Sequence, residues 1–243
     1  MMLPVPIMNP RKDKRMEPGQ AHLSYRPLRT PRAAAIAGIV FGVLQITSNI
    51  LMNSSIPAET LYEQGLLTEF ARQISWALGL LPFAGIAFLW FLGVLRDRLG
   101  HLEDQFFSTL FFGSGLLYLA MTFVSAAITG GLVTLYAVAP ELFINSGILI
   151  FGRAVIFKFN NAYAIRMAGM FMFVLGTIWV RTGLMPRWLA ILTYLTALTL
   201  IIGVAFWPWS TLFFPAWVFL ISAYILVLNY RYKQERDGVT LEE

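Results

Sequence analysis

An all-α polytopic membrane bundle of six transmembrane helices is the fold this chain predicts, and three observations carry that reading. Hydrophobic residues make up 58% of the 243 residues and charged residues only 13%, with a mean hydropathy of +0.67, whereas soluble domains carry about 25% charged residues. Apolar runs at about 33–52, 75–95, 106–130, 160–180, 188–207 and 212–230 each come near the roughly 20 residues that cross about 30 Å of hydrocarbon. The basic residues gather at the ends of those runs. That is membrane topology rather than a nucleic-acid footprint, despite the net charge of +5. A soluble fold of this size could not hide so much apolar surface; a bilayer asks for none to be hidden. The expected surroundings are therefore a lipid bilayer, with no nucleic-acid partner.

Taken in order, residues 1–31 form a basic tail punctuated by Pro4, Pro6, Pro10, Pro18, Pro27 and Pro31, which forbid a long helix and predict a disordered cytoplasmic segment. Residues 32–230 form the membrane domain and 231–243 a cytoplasmic C-terminal tail. In the first run, Ala34, Gly38 and Gly42 repeat every four residues, a small-xxx-small stripe suited to close helix packing, more often within a chain than between copies. Trp207, Pro208, Trp209 and Ser210 make a short aromatic turn of the kind found at a hairpin tip in the membrane interface.

Orientation follows from Lys and Arg. With six spans, both termini share a side with the 96–105 and 181–187 loops. That side holds Arg11, Lys12, Lys14, Arg15, Arg26, Arg29, Arg32, Arg96, Arg98, Arg181, Arg187, Arg231, Lys233 and Arg236. The opposite side has Arg72, Arg153 and Lys158, with Arg166 inside a span. The positive-inside rule makes both termini cytoplasmic. Two outer segments exceed a simple turn. Residues 53–73 carry Leu66, Leu67, Phe70 and Ile74 at helical spacing and predict a short helix on the outer surface. Residues 131–159 contain an apolar stretch, 142–157, that is short for a span. It predicts an interfacial or re-entrant helix; a seventh span is the alternative, which would move Arg181 and Arg187 outside and break the charge rule.

The polar residues inside the runs suggest where a site would lie. Arg166 falls roughly 6–9 Å below the outer boundary at 1.5 Å per residue, close enough for its guanidinium to snorkel to the headgroups. Gln45 and Asn49, four residues apart, share a face in the outer half of the first span, and Thr122 and Ser125 reach a similar level in the third. Glu141, Arg153, Lys158, Asn160 and Asn161 lie just above. The inner halves are plainly apolar. An outward-facing polar pocket between spans 1, 3 and 4, roofed by residues 131–159, is therefore expected from Arg166, Asn49, Gln45, Thr122, Ser125 and Glu141. Ordinary hydrogen bonding between helices, at about 0.6 kcal/mol per contact, explains the same residues without a ligand.

Reactive constellations are sparse. There is no cysteine, and His22 and His101 fall in the tail and a loop, so no span supplies a haem ligand, a His-based dyad or a zinc motif. The acidic residues lie in tails and loops, which leaves no embedded carboxylate for proton coupling. Gly113-Ser114-Gly115 lacks the outer glycine spacing of a nucleophile elbow. No phosphate-binding loop is present, and no internal repeat joins residues 33–130 to 160–230, as inverted-repeat transporters would require. No cofactor or metal is expected.

Two stretches, FLWFLGVLRDRL at 88–99 and RTGLMPRWL at 181–189, resemble a group of small six-span bacterial integral membrane proteins of unknown function. In that group a span likewise ends in an arginine-rich turn, and a similar linker joins two helices. The resemblance implies a bacterial inner-membrane location and carries over no catalytic residue. Both stretches are also what topology selects: an arginine-rich inner end, a Gly183 stop, a Pro186 start and an interfacial Trp188.

Three functional classes remain. The leading expectation is a non-enzymatic accessory, scaffold or sensor component that binds another membrane protein or a second copy of itself. The alternative is a transporter or a lipid- or small-anion-binding protein that uses the pocket around Arg166. An intramembrane enzyme ranks last, because the spans offer no His, Asp or Glu base.

Overall fold

The computed structural model describes residues 31–54, 64–99, 105–183, 185–202 and 208–239, and every regular element among them is helical. The expected basic tail at 1–30, both histidines and residues 240–243 lie outside the described residues. Among the described residues five helices are long and apolar enough to cross a membrane: Arg32–Ser54, Ala71–Asp97, Phe106–Val138, Ile148–Thr182 and Trp209–Tyr230. A shorter apolar helix covers Arg187–Ile202. The chain is a multi-pass membrane protein by helix length and composition.

The elements run as α1 (Pro31–Ser54), α2 (Gln64–Leu99), α3 (Gln105–Val138), α4 (Pro140–Asn145), α5 (Ile148–Lys158), a π-helical turn (Phe159–Ala164), α6 (Ile165–Thr182), α7 (Arg187–Ile202), a 3₁₀ turn (Pro208–Leu212) and α8 (Phe213–Val239). Pro31 opens α1, where its missing N–H costs nothing. Gly183, at φ 65°, stops α6 in the left-handed conformation that glycine tolerates.

Several boundaries differ from the sequence reading. The 131–159 segment, expected to form an interfacial or re-entrant helix, is split three ways. Residues 131–138 prolong α3, Pro140–Asn145 makes one short helix, and Ile148–Lys158 runs without a break through the π turn into α6. Gly147, at φ 70°, permits the turn that starts α5. The helix expected on the outer surface before span 2 likewise merges into α2 from Gln64 onward, while residues 55–63 lie outside the described residues. α8 continues past residue 230, where the membrane domain was expected to end. Of the run at 188–207, residues 187–202 form α7 and 203–207 lie outside the described residues. In each case an apolar window was read as an element boundary, whereas backbone hydrogen bonding carries the helix into the flanking polar residues, where water can serve the same side chains.

α1 packs against α2 and α8, and α6 against α3 and α7. Small residues let these axes approach. A methyl group at Gly38 would run into Ser222 Oγ of α8, and one at Gly42 would meet Phe219 and the Pro215 carbonyl. The small-residue stripe of α1 is thus an intramolecular seam with α8. Gly169 of α6 plays the same part toward α7, at the Ala197 carbonyl and Ile201, and about two turns further on, next to Gly176, the Tyr194 hydroxyl donates to Thr177 Oγ1 at 2.9 Å.

The core is aromatic. Phe88 stands 4.7 Å from Phe41, 5.9 Å from Phe171 and 5.8 Å from Phe214 between ring centroids, and Phe171 lies 4.6 Å from Phe111. In lipid no hydrophobic force draws helices together, so such close van der Waals contact supplies much of the cohesion. Antiparallel connections set the N-terminus of α1 and the C-termini of α2 and α6 at one end of the bundle. Arg32, Arg96, Arg181 and Arg187 belong to that end, and Arg96 and Arg181 each stand 4.5 Å over a ring of α3, Phe112 and Phe107. The opposite end is built differently, and it holds the cavity.

Candidate ligand cavity

Near the C-terminal ends of α1 and α3 the helices part around a cavity of about 750 Å³, within the roughly 300–1,000 Å³ typical of small-molecule sites. Its walls come from α1, α2, α3, α4, α5, the π turn, α6, the 3₁₀ turn and the start of α8. One face of α3 supplies Tyr118, Thr122, Ser125, Thr129, Leu132 and Tyr136, at helical spacings of three and four. The Tyr118 ring, 4.5 Å from that of Phe214, lies at the junction between the cavity and the aromatic core.

Most polar groups around the cavity are already paired. Gln45 Nε2 donates to Asn49 Oδ1 at 3.4 Å, and Asn49 Nδ2 donates to the Thr211 carbonyl at 3.2 Å. Ser48 Oγ donates to the Ala77 carbonyl at 2.9 Å, which ties α1 to α2 just behind the wall. Thr122 and Thr129 return their hydroxyl protons to the carbonyls of Tyr118 and Ser125, one turn back. In the π turn, Asn161 is buried and its Oδ1 accepts a hydrogen bond from Ser210 Oγ at 2.7 Å. This bond clamps the α5–α6 helix to the start of α8. A π turn accommodates an extra residue in the helix and is frequent at functional sites; here it places Asn160 and Asn161 together on the cavity wall.

Ser125 is the exception. It is 2% exposed, it lines the cavity, and its Oγ has no hydrogen-bond partner. Buried hydroxyls in native proteins nearly always find a partner; this one sits sealed in the cavity wall without one among the described residues.

Two cations border the space. Arg153 is half-buried and Lys158 exposed, and both line the cavity. Among the described lining residues there is no Asp or Glu, and neither cation forms an ion pair or hydrogen bond among the described residues. Most of the remaining lining is apolar, including Leu81, Leu132, Val133, Phe143 and Leu149.

Of the six residues expected to form a pocket, the structure brings four together: Gln45, Asn49, Thr122 and Ser125 all line the cavity. Arg166 and Glu141 do not. Arg166 falls on an exposed stripe of α6 with Phe173 and Val180, at intervals of seven, and donates through Nη1 to the Ala162 carbonyl. The adjacent Ile165 is buried, so the helix turns Arg166 out where it turns its neighbour in. Gly169, three residues on, meets α7 instead. Glu141 is exposed on the short helix α4.

Sequence reasoning left out Thr129, Tyr118 and Tyr136, although their spacing from Thr122 and Ser125 put them on the same face of α3 and was available as a signal. Trp209 and Thr211 had no such signal, because only the fold brings the 3₁₀ turn to this wall. Among the described residues, no group of three or more His, Cys, Asp or Glu is arranged to hold a metal ion. Comparison of the chain with family models, with curated proteins and with solved structures finds no match.

Proposed function

We infer that the protein is a six-span membrane protein with both termini in the cytoplasm, residing in a bacterial inner membrane, and that it binds or passes a small molecule through the cavity near the C-termini of α1 and α3. The cavity carries this reading: about 750 Å³ of mostly apolar space bordered by Arg153 and Lys158. A chain whose only task was to hold a partner on its outer surface has no use for such a void, because unfilled space forfeits packing contacts. Six crossings are supported by α7, which turns back at Gly183 and packs along α6. Orientation is supported by the basic residues at the end away from the cavity, and the bacterial location by the resemblance of residues 88–99 and 181–189.

The chain contains no cysteine, so one introduced thiol is a unique reporter. Ala126→Cys places it on the cavity wall. In right-side-out membrane vesicles it is expected to react with an uncharged maleimide and to be protected by an extract of cellular lipids and metabolites. A control thiol from Glu69→Cys, on an exposed residue of α2, is expected to react regardless. Equal reactivity of the cavity thiol with and without extract would overturn the ligand reading. The accessory-component reading would then stand first, and it expects a stoichiometric second protein after purification in mild detergent.

A further inference from the structure

We propose that the cavity takes a single-chain anionic amphiphile, with its carboxylate or phosphate head at Arg153 and Lys158 and its chain along the apolar wall of α3. This assignment rests on the ligand-binding reading above and names the chemistry of the ligand.

Two independent observations carry it. The first is charge. A partly buried cation is costly unless an anionic or hydrogen-bonding partner compensates its lost hydration. Arg153 is half-buried on α5, yet neither it nor Lys158 has a partner among the described residues, and no carboxylate lines the cavity. Glu141, on the neighbouring helix α4, is exposed and outside the lining. Among the described residues nothing supplies the charge complement, and an anionic ligand would. A guanidinium presents a planar fork suited to a carboxylate or phosphate, while an ammonium adds a point charge.

The second is the distribution of polarity. Beyond the two cations the polar groups are mostly satisfied within the protein, leaving the Ser125 hydroxyl without a partner. The walls between are Leu, Val, Phe and Tyr side chains. A small hydrophilic anion would leave that apolar space filled with poorly bonded water. A neutral hydrocarbon would leave the cations unpaired. A molecule with an anionic head and one apolar chain satisfies both ends.

The test uses the full-length Ala126→Cys protein in phosphatidylcholine nanodiscs, with the rate of maleimide labelling as readout. The probes are hexadecanoate, hexadecanol and inorganic phosphate. Hexadecanoate is expected to protect the thiol at a concentration at least tenfold lower than hexadecanol, and inorganic phosphate at millimolar concentration to protect little. Adding Arg153→Gln and Lys158→Gln is expected to bring the two chain probes within about threefold of each other, while hexadecanol still protects. Arg153→Lys, which keeps the charge if the double variant folds poorly, is expected to retain the preference, as is Arg166→Gln on the far face of α6.

Equal protection by the acid and the alcohol, or a preference that survives the double variant, would overturn the anionic assignment and leave the ligand-binding cavity standing. Protection by inorganic phosphate as strong as by hexadecanoate would show a site for free anions and overturn the amphiphile. Protection by neither chain probe nor phosphate would overturn this assignment. Only the additional failure of the cellular extract would overturn the cavity reading beneath it.

Discussion

The two ends of the bundle solve the same packing problem in opposite ways. At the end carrying Arg96 and Arg181, Gly38 lets α8 in so closely that Ser222 is pressed against the α1 backbone, and Phe88, Phe171 and Phe214 fill the centre. At the other end the helices of the same bundle diverge around about 750 Å³. Among the described residues each end has one buried hydroxyl without a hydrogen-bond partner, Ser222 and Ser125, but their surroundings differ. Ser222 is packed against a glycine; Ser125 is sealed within the wall of a cavity that two cations border. The contrast teaches that the cavity is not a general looseness of membrane packing. The chain packs tightly where small residues admit a neighbouring helix, and it opens around a largely apolar space edged by polar groups and two cations.

Substitutions at the two ends sharpen or break that comparison. The largest effect is expected from Phe171→Ala. The ring is fully buried among Phe88, Phe111, Phe214 and Trp217, and loss of a buried aromatic costs about 3–5 kcal/mol in cores that cannot collapse. Thermal unfolding in neutral detergent measures it, and a cost under about 1 kcal/mol would mean that the aromatic end is itself loosely packed. Gly38→Val comes next, at about 1–3 kcal/mol from overpacking against Ser222 and Phe91; an unchanged melting temperature would show that the α1–α8 seam yields.

Ser125→Ala belongs to the open end and is expected to change stability by less than about 1 kcal/mol, upward if at all, because it removes a buried hydroxyl that has no partner. A marked loss would reveal a structural bond at that hydroxyl and weaken the contrast between the ends. The smallest effect is expected for Arg166→Gln, under about 0.5 kcal/mol, as for exposed positions away from caps, cores and networks. Its melting curve should overlay that of the parent protein; a clear drop would mean that Arg166 reaches a partner across the exposed face of α6.

Residues at the cavity were legible to different degrees. Gln45 and Asn49, or Thr122 and Ser125, could be paired from spacing alone, because residues three or four apart on one helix share a face whatever surrounds it. Arg166 was misplaced because a helix has several faces, and which of them turns inward depends on its neighbours. α7 meets α6 at Gly169 and Gly176, and that contact leaves Arg166 with Phe173 and Val180 on the exposed stripe. The π turn adds a second obstacle, since an extra residue shifts the register between α5 and α6, so that faces counted back from Arg166 do not extend to Arg153.

The sequence by itself determined the membrane character, the helical class, the approximate spans and the end at which polar residues gather. These follow from composition, run length and the cost of an unpaired backbone in lipid, all of which are local or additive along the chain. Only the tertiary structure decided that α3 and α5 extend into the segment expected as a separate outer helix, that Arg153 and Lys158 rather than Arg166 border the cavity, and that the helices leave a cavity at all. A void is a property of how several helices fail to meet, and no single helix encodes it.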